Sequence, residues 1–284
     1  MVIQEINKVI KGPHRLPILL DVFYNNTVEH APLLIFCHGY KGFKDWGAWN
    51  LFAKTFAASG IAVLKFNFSH NGGTKDQPID FPDLEAFGNN NYTKELDDLD
   101  SVINWVCANL EETAEANINT ITLLGHSRGG GIVMIKAAED SRVKTVISLA
   151  GVSDYKNRFP VGMAFNKWKD SGVYFVENAR TKQQMPHHYQ FYEDFAKNEK
   201  RLTIQSAAKN LNIPFLIIHG DADTSVSIQE AQNLHQWNPN STLQVIKGAN
   251  HVFGAAHPWQ PNYLPKHLEH VVNLITQFNK KLSN

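Results

Sequence analysis

Apolar positions along the chain follow two rhythms that take turns. Leu33-Leu34-Ile35-Phe36-Cys37 is a continuous apolar run, and similar runs rich in β-branched residues occur at 61–68, 120–125, 143–149, 213–218 and 242–246. Unbroken runs of that length are expected of strands buried on both faces of a parallel sheet. Between them the period changes. Leu96, Leu99, Val102, Ile103, Val106 and Leu110 recur at the spacing of one helix face, which predicts a helix over 93–110. Further helices are predicted at 46–58, 128–139, 227–237 and 263–280. At the N-terminus two β-rich runs, 2–10 and 16–24, flank Lys11-Gly12-Pro13-His14, a hairpin turn. Residues 75–92 are polar and turn-rich and read as a loop.

Strand and helix alternate so regularly that a mostly parallel central sheet with helices on both faces is predicted. Ligands of such sheets bind at the carboxyl ends of the strands. The loops after residues 37, 68 and 125 all fall at that end. The rhythm breaks at 152–205, where Phe159, Phe165, Trp168, Tyr174, Phe175, Tyr189, Phe191, Tyr192 and Phe195 are mixed with charges and no central strand is visible. This stretch reads as an inserted helical cap, with an amphipathic helix over 189–201, on a core formed by 1–151 and 206–284. A long helical crossover decorated with loops is the plainer alternative. The cap aromatics are expected to form chiefly the cap's own small core.

Composition narrows the partners. The 284 residues carry 27 basic and 27 acidic side chains, so no basic surplus points to nucleic acid. No apolar run approaches the ~20 residues needed to cross a bilayer, and the first residues lack the pattern of a secretory signal. Cys37 and Cys107 fall in an apolar strand and a helix and read as buried thiols, which fits a reducing cytoplasm. A small molecule is the expected partner, without nucleic acid or membrane; the oligomeric state stays open.

The chemistry gathers around Gly125-His126-Ser127-Arg128-Gly129, entered by a predicted strand and left by a predicted helix. A Gly-x-Ser-x-Gly turn in that context lifts a serine to the apex of a strained backbone, with helix N–H groups beside it. A serine hydroxyl needs a base to take its proton and a carboxylate to orient that base. Asp223 lies in the turn after one predicted strand and His251 after the next, so the order Ser127, Asp223, His251 is that of an α/β-hydrolase triad. Asp221 and Asp154 compete for the acid's role; Asp221 is expected to hold backbone in its turn instead. His126 reads as packing beneath the turn and His70 as a turn residue. His187-His188 has no third ligand at metal spacing. Neither Gly72-Gly73 nor Gly129-Gly130-Gly131 matches a phosphate or dinucleotide fingerprint, so no cofactor is expected.

Gly125-His126-Ser127-Arg128-Gly129, His219-Gly220-Asp221-Ala222-Asp223-Thr224-Ser225-Val226 and Gly248-Ala249-Asn250-His251 together resemble the α/β-hydrolase superfamily. With His38-Gly39-Tyr40-Lys41-Gly42 and the insertion after Gly151, the chain more narrowly resembles bacterial cinnamoyl/feruloyl-type esterases and related serine-peptidase-like hydrolases of the prolyl-oligopeptidase and aminopeptidase kind. That resemblance implies an oxyanion hole made by the backbone N–H groups of Tyr40 and Arg128, with His38 and Gly39 shaping the turn. It implies a serine hydrolase that cleaves carboxylic esters through an acyl-enzyme. An amide hydrolase sharing the triad is the alternative; it needs acids for a peptide amine, for which Glu177, Glu193 and Asp194 are candidates. A hydrolase-fold protein that only binds a ligand is the other. Related dienelactone hydrolases use cysteine and dehalogenases aspartate where this chain has Ser127. Trp46 and Trp49 flank the Tyr40 loop and serve either the pocket or the core.

Overall fold

The computed structural model describes residues 1–110 and 116–282. Residues 111–115 and 283–284, which belong to the two core segments expected from the sequence, lie outside the described residues. The chain opens with β1 (Val2–Ile10) and β2 (Ile18–Asn25), an antiparallel hairpin, followed by β3 (Ala31–Cys37), α1 (Trp49–Ala58) and β4 (Ala62–Asn67). A short helix α2 (Leu84–Gly88) and the long α3 (Tyr92–Asn109) lead to β5 (Ala116–His126), α4 (Arg128–Glu139) and β6 (Val143–Leu149). After β6 come α5 (Gly162–Ser171), the hairpin β7 (Val173–Glu177) and β8 (Gln184–His188), α6 (Gln190–Asn198) and α7 (Ile204–Asn210). The chain then forms β9 (Phe215–Gly220), α8 (Ile228–Trp237), β10 (Thr242–Ile246) and α9 (Lys266–Leu282).

Eight strands form one sheet in the order β1-β2-β4-β3-β5-β6-β9-β10. The pairings from β4 through β10 are parallel, and β1 and β2 are the antiparallel edge. The continuous apolar runs are explained by a core on each face, because successive side chains point to opposite sides. Leu33, Ile35 and Cys37 of β3 face the core covered by α3, α4 and α7. Leu34 and Phe36 face the core built with Phe52 and Phe56 of α1 and Val271 and Ile275 of α9.

Two departures from the sequence reading concern short elements. Part of 75–92 is helical: the Asp83 carboxylate accepts the Ala86 N–H at 2.8 Å and caps α2. Its five residues are too few for a helical period to register. The stretch 152–205 is not purely helical, because β7 and β8 pair as a separate antiparallel two-stranded sheet. Tyr189 to Arg201 contains the expected helix, though only Gln190–Asn198 is regular. No helix among the described residues is long and apolar enough to cross a membrane.

One buried feature braces the loop after β3. Asp21 of β2, Lys44 of the loop and Lys65 of β4 are all sealed from solvent. Lys44 Nζ donates to Asp21 Oδ2 at 2.8 Å and to Asp45 Oδ2 at 2.6 Å, and Lys65 Nζ bonds the same two carboxylates. The Lys44 N–H also donates to Asn67 Oδ1 at 2.6 Å. Two buried cations are thus matched by two carboxylates, the arrangement that makes burial of charge tolerable.

Candidate active site

β5 ends at His126 and α4 begins at Arg128, so the whole turn between strand and helix is Ser127. Its backbone is forced to φ 56° and ψ −119°. A side chain in that region costs about 1–3 kcal/mol and is held there by its surroundings. Those surroundings have no room for larger residues. A Cβ on Gly125 would sit 2.1 Å from the Gly129 carbonyl oxygen, and one on Gly39 would sit 2.9 Å from Ser127 Cβ. The loop after β3 therefore passes directly against Ser127. His38 fixes that loop: its Nδ1–H donates to the Gly39 carbonyl at 2.9 Å and its Nε2 meets the Phe68 N–H at 3.4 Å. Burial lowers the His38 pKa to about 4, so the ring is neutral at pH 7.

The loops after β9 and β10 bring Asp223 and His251 together. His251 Nδ1 lies 2.7 Å from Asp223 Oδ2. The other carboxylate oxygen accepts the N–H groups of Ser225 at 2.8 Å and Val226 at 2.9 Å. Burial works against ionisation of Asp223, yet hydrogen bonds from His219, His251 and Val226 outweigh it and hold the carboxyl well below the usual carboxylate range. His219, wholly buried, donates from Nε2 to the Val226 carbonyl at 2.9 Å and stands 3.3 Å from Asp223 Oδ2. In the sequence it stands only as the first residue of the His219–Val226 motif, at the end of an apolar strand, with nothing to mark it as a partner of Asp223. His126 donates from Nε2 to the His251 carbonyl at 2.9 Å, so this packing residue also tethers the His251 loop. Burial lowers its pKa to about 3, with the nearby His251 ring adding to the effect.

Ser127 and His251 line one cavity of about 450 Å³. Tyr92, Val152, Tyr155 and Phe191 give it apolar walls, and Tyr174, Val176 and His187 reach in from the β7–β8 hairpin. Arg128 borders the cavity with its guanidinium over the rings of Tyr92, at 4.5 Å, and Phe191, at 5.0 Å. Beneath it, Glu95 accepts Arg128 Nε–H at 3.1 Å and Asn90 Nδ2–H at 2.8 Å. Tyr40 also lines the cavity, and its hydroxyl is 2.9 Å from His187 Nε2.

Other expected residues fall elsewhere. Asp221 accepts the Gly248 N–H at 2.6 Å, bridging the two loops. Asp154 holds the Lys156 N–H and the Asn157 side chain, both at 2.6 Å, in the turn after β6. His70 bonds Ser69 Oγ at 2.8 Å, away from the cavity. His188 lies 3.3 Å from Glu85. Trp49 packs on Phe36 and Phe52, and Trp46 stacks with His257, so both serve the core and the loop rather than the cavity wall. The aromatics of 152–205 divide: Phe159, Phe165, Trp168 and Tyr192 pack on one another, while Tyr174 and Phe191 face the cavity. Glu177 pairs with Lys182 at 3.2 Å on the exposed hairpin, Asp194 accepts Thr93 Oγ1–H at 2.7 Å, and Glu193 is exposed. None of these three acids lines the cavity.

The BD-FAE family model matches residues 20–238. Quorum-quenching protein AidA of Acinetobacter baumannii is 30% identical over 144 residues, which is 50% of this chain and 42% of that protein. The chain therefore spans less than half the length of that curated relative. Among solved structures, Est1E from Butyrivibrio proteoclasticus with bound ferulic acid superposes with a TM-score of 0.73 at 19% identity, covering 96% of this chain and 98% of that one. The esterase domain of a Rhodothermus marinus protein gives a TM-score of 0.65 at 16% identity, covering 99% and 98%. At those identities the likeness speaks for the fold, which is that of the α/β hydrolases.

Proposed function

The chain belongs to the BD-FAE family, and from that premise and the geometry of the cavity we propose that it is a serine hydrolase cleaving carboxylic esters. His251 shares a hydrogen bond with Asp223 through Nδ1, which leaves the neutral ring's Nε2 as its basic atom. In the proposed mechanism Nε2 takes the proton from Ser127, whose Oγ attacks the ester carbonyl. Asp223 holds the imidazole in that tautomer and steadies the imidazolium. The backbone N–H groups of Tyr40 and Arg128 receive the oxyanion, each worth about 3 kcal/mol in the transition state. His251 then protonates the departing alcohol, and water repeats the sequence on the acyl-enzyme. Residues 152–205 act as the lid that closes the acyl pocket. The carrying observation is that a strained Ser127 and a carboxylate-paired His251 open onto one cavity.

Ester is favoured over peptide because, among the described residues, those lining the cavity include no carboxylate to receive a substrate amine. The test is a set of initial rates on alkyl and aryl esters of increasing chain length, beside aminoacyl anilides, for the wild type and Ser127→Ala. Ser127-dependent ester turnover with silent anilides is the expected result. Anilide turnover makes the protein an amide hydrolase. Silence on both substrates, with no labelling by a serine-directed phosphonate, makes it a ligand-binding protein.

A further inference from the structure

The cavity has two cationic side chains on its wall, Arg128 and Arg158. Arg158 is committed to Glu230, with which it forms an ion pair. Arg128 is not fully committed. A guanidinium carries five N–H donors in a planar fork. Among the described residues, its one aligned hydrogen bond is Nε–H to Glu95. Nη2 is buried and ion-paired with Glu95 Oε1 at 3.1 Å without an aligned hydrogen bond, and among the described residues Nη1 has no hydrogen-bond partner. The side chain keeps 11% of its exposure and borders the cavity.

Two neighbouring hydroxyl donors are already engaged. The Tyr155 hydroxyl donates to the Arg128 carbonyl at 2.8 Å, and the Tyr40 hydroxyl to His187. Stacking on Tyr92 and Phe191 and the Glu95 bond fix the guanidinium in place, so an acceptor meeting it costs little reorganisation. Leaving a cavity-facing guanidinium N–H against an apolar chain costs the hydrogen bond that solvent otherwise supplies.

We propose that Arg128 determines specificity, selecting esters whose acyl chain carries an oxygen acceptor, keto or carboxylate, a few bonds from the scissile carbonyl. The inference rests on the ester-hydrolase reading and names its substrate class. The oxygen docks on the edge of the guanidinium not held by Glu95, while the methylene chain lies against Tyr92 and Phe191. A cationic acyl group meets like charge there and is rejected.

The experiment compares 4-nitrophenyl hexanoate with the 4-oxohexanoate, the 5-oxohexanoate and the mono-adipate, which match it closely in length. Wild type is expected to prefer at least one oxygenated ester by about tenfold or more in kcat/KM, the scale of a hydrogen bond to a charged donor. A best adipate identifies an anionic acceptor and a best oxo ester a neutral one. Indifference, or preference for the plain chain, overturns the proposal. Glu95→Gln/Arg128→Met removes the donor without stranding a buried carboxylate, and its preference ratio is expected to fall to about one. A ratio that survives in this variant overturns the proposal. Circular dichroism and phosphonate labelling report whether it folds; if it does not, Arg128→Lys is read for the same loss, and an unchanged ratio overturns. Calorimetry of methyl hexanoate and methyl 5-oxohexanoate on Ser127→Ala reads recognition without turnover. Equal binding there, alongside equal rates in wild type, sinks this inference. A clear binding difference in a wild type that hydrolyses nothing sinks the esterase reading and leaves the recognition standing.

Discussion

The Tyr40 hydroxyl donates to His187 Nε2 across 2.9 Å, joining the loop after β3 to β8 of the β7–β8 hairpin. The direction follows from the other ring nitrogen: His187 Nδ1 lies 3.2 Å from the Met185 carbonyl and must carry the proton. Burial keeps His187 neutral, with a pKa lowered to about 4, so the arrangement holds at pH 7. The residue proposed to supply an oxyanion donor through its backbone thus holds the β7–β8 hairpin through its side chain. Tyr40→Phe is expected to lower kcat/KM about fivefold, a loss of about 1 kcal/mol. In a double-mutant cycle with His187→Leu, a coupling of about 0.5–1.5 kcal/mol in kcat/KM is expected. Strict additivity would show that loop and insertion act independently.

Ser127→Gly separates strain from chemistry. Glycine adopts φ 56° without steric cost, although it adds about 0.5–1 kcal/mol of chain entropy to the unfolded state. Relief of about 1–3 kcal/mol of strain should match or exceed that. Urea unfolding is expected to show a variant as stable as wild type, or up to about 2 kcal/mol more so, with esterase activity gone. Destabilisation by more than about 1 kcal/mol would mean that Ser127 is not strained.

Gly39→Ala probes the approach of the loop to Ser127. The new Cβ would lie 2.9 Å from Ser127 Cβ and 3.1 Å from the His126 carbonyl oxygen, so the loop must retreat. A small retreat of positioned donors is enough to cost about a hundredfold in kcat. Steady-state kinetics with a thermal melt checks this: wild-type kcat in a normally folded variant would remove the loop from the mechanism.

Acid should destabilise the fold well before its paired carboxylates titrate. Burial lowers the pKa of His38, His70 and His187 to about 4 and that of His126 to about 3. The unfolded chain binds protons at these histidines near pH 6.5, whereas the folded chain waits until about pH 4 or below. Unfolding then takes up protons, and stability falls as pH drops from about 6.5 to 4. Asp98 opposes this: burial raises its pKa to about 7, so its carboxyl keeps a proton in the fold that the unfolded chain releases. Burial also lowers His257 and raises Glu95, so five histidines stand against two carboxyls and leave a net uptake of about three protons near pH 5. Urea titrations at pH 7, 6 and 5 should give steadily falling unfolding free energies. A flat profile would show that these rings are hydrated.

Long-range alternation made the sheet legible in advance, because double-sided burial gives most residues of β3, β4, β6 and β9, and the 121–125 half of β5, apolar character. The meeting of Asp223 with His251 was also legible, since both follow strands that end at the same edge. Pairings between side chains far apart in sequence were not. Tyr40 and His187 stand 147 positions apart, and neither local composition nor period marks them as partners. Arg128 was visible as a neighbour of Ser127 but not as one half of a buried pair, because Glu95 reads in sequence as an ordinary polar position of α3. The β7–β8 hairpin escaped notice because Gln184-Met185-Pro186-His187-His188 carries little β propensity and pairs only through its tertiary setting.

The buried quartet of Asp21, Lys44, Asp45 and Lys65 bears on the order of assembly. Asp21 is made first, and its carboxylate cannot enter a dry interior without its counter-ions. The hairpin that carries it can form early, but it cannot seat on β4 until both lysines have been synthesised and brought to it. Lys44 belongs to the loop that runs past Ser127, so closure of the sheet edge and shaping of that loop become one event. A hairpin whose residues do not line the cavity is thereby tied to it: β2 seated out of register on β4 would leave Asp21 an orphaned charge and the loop without its brace.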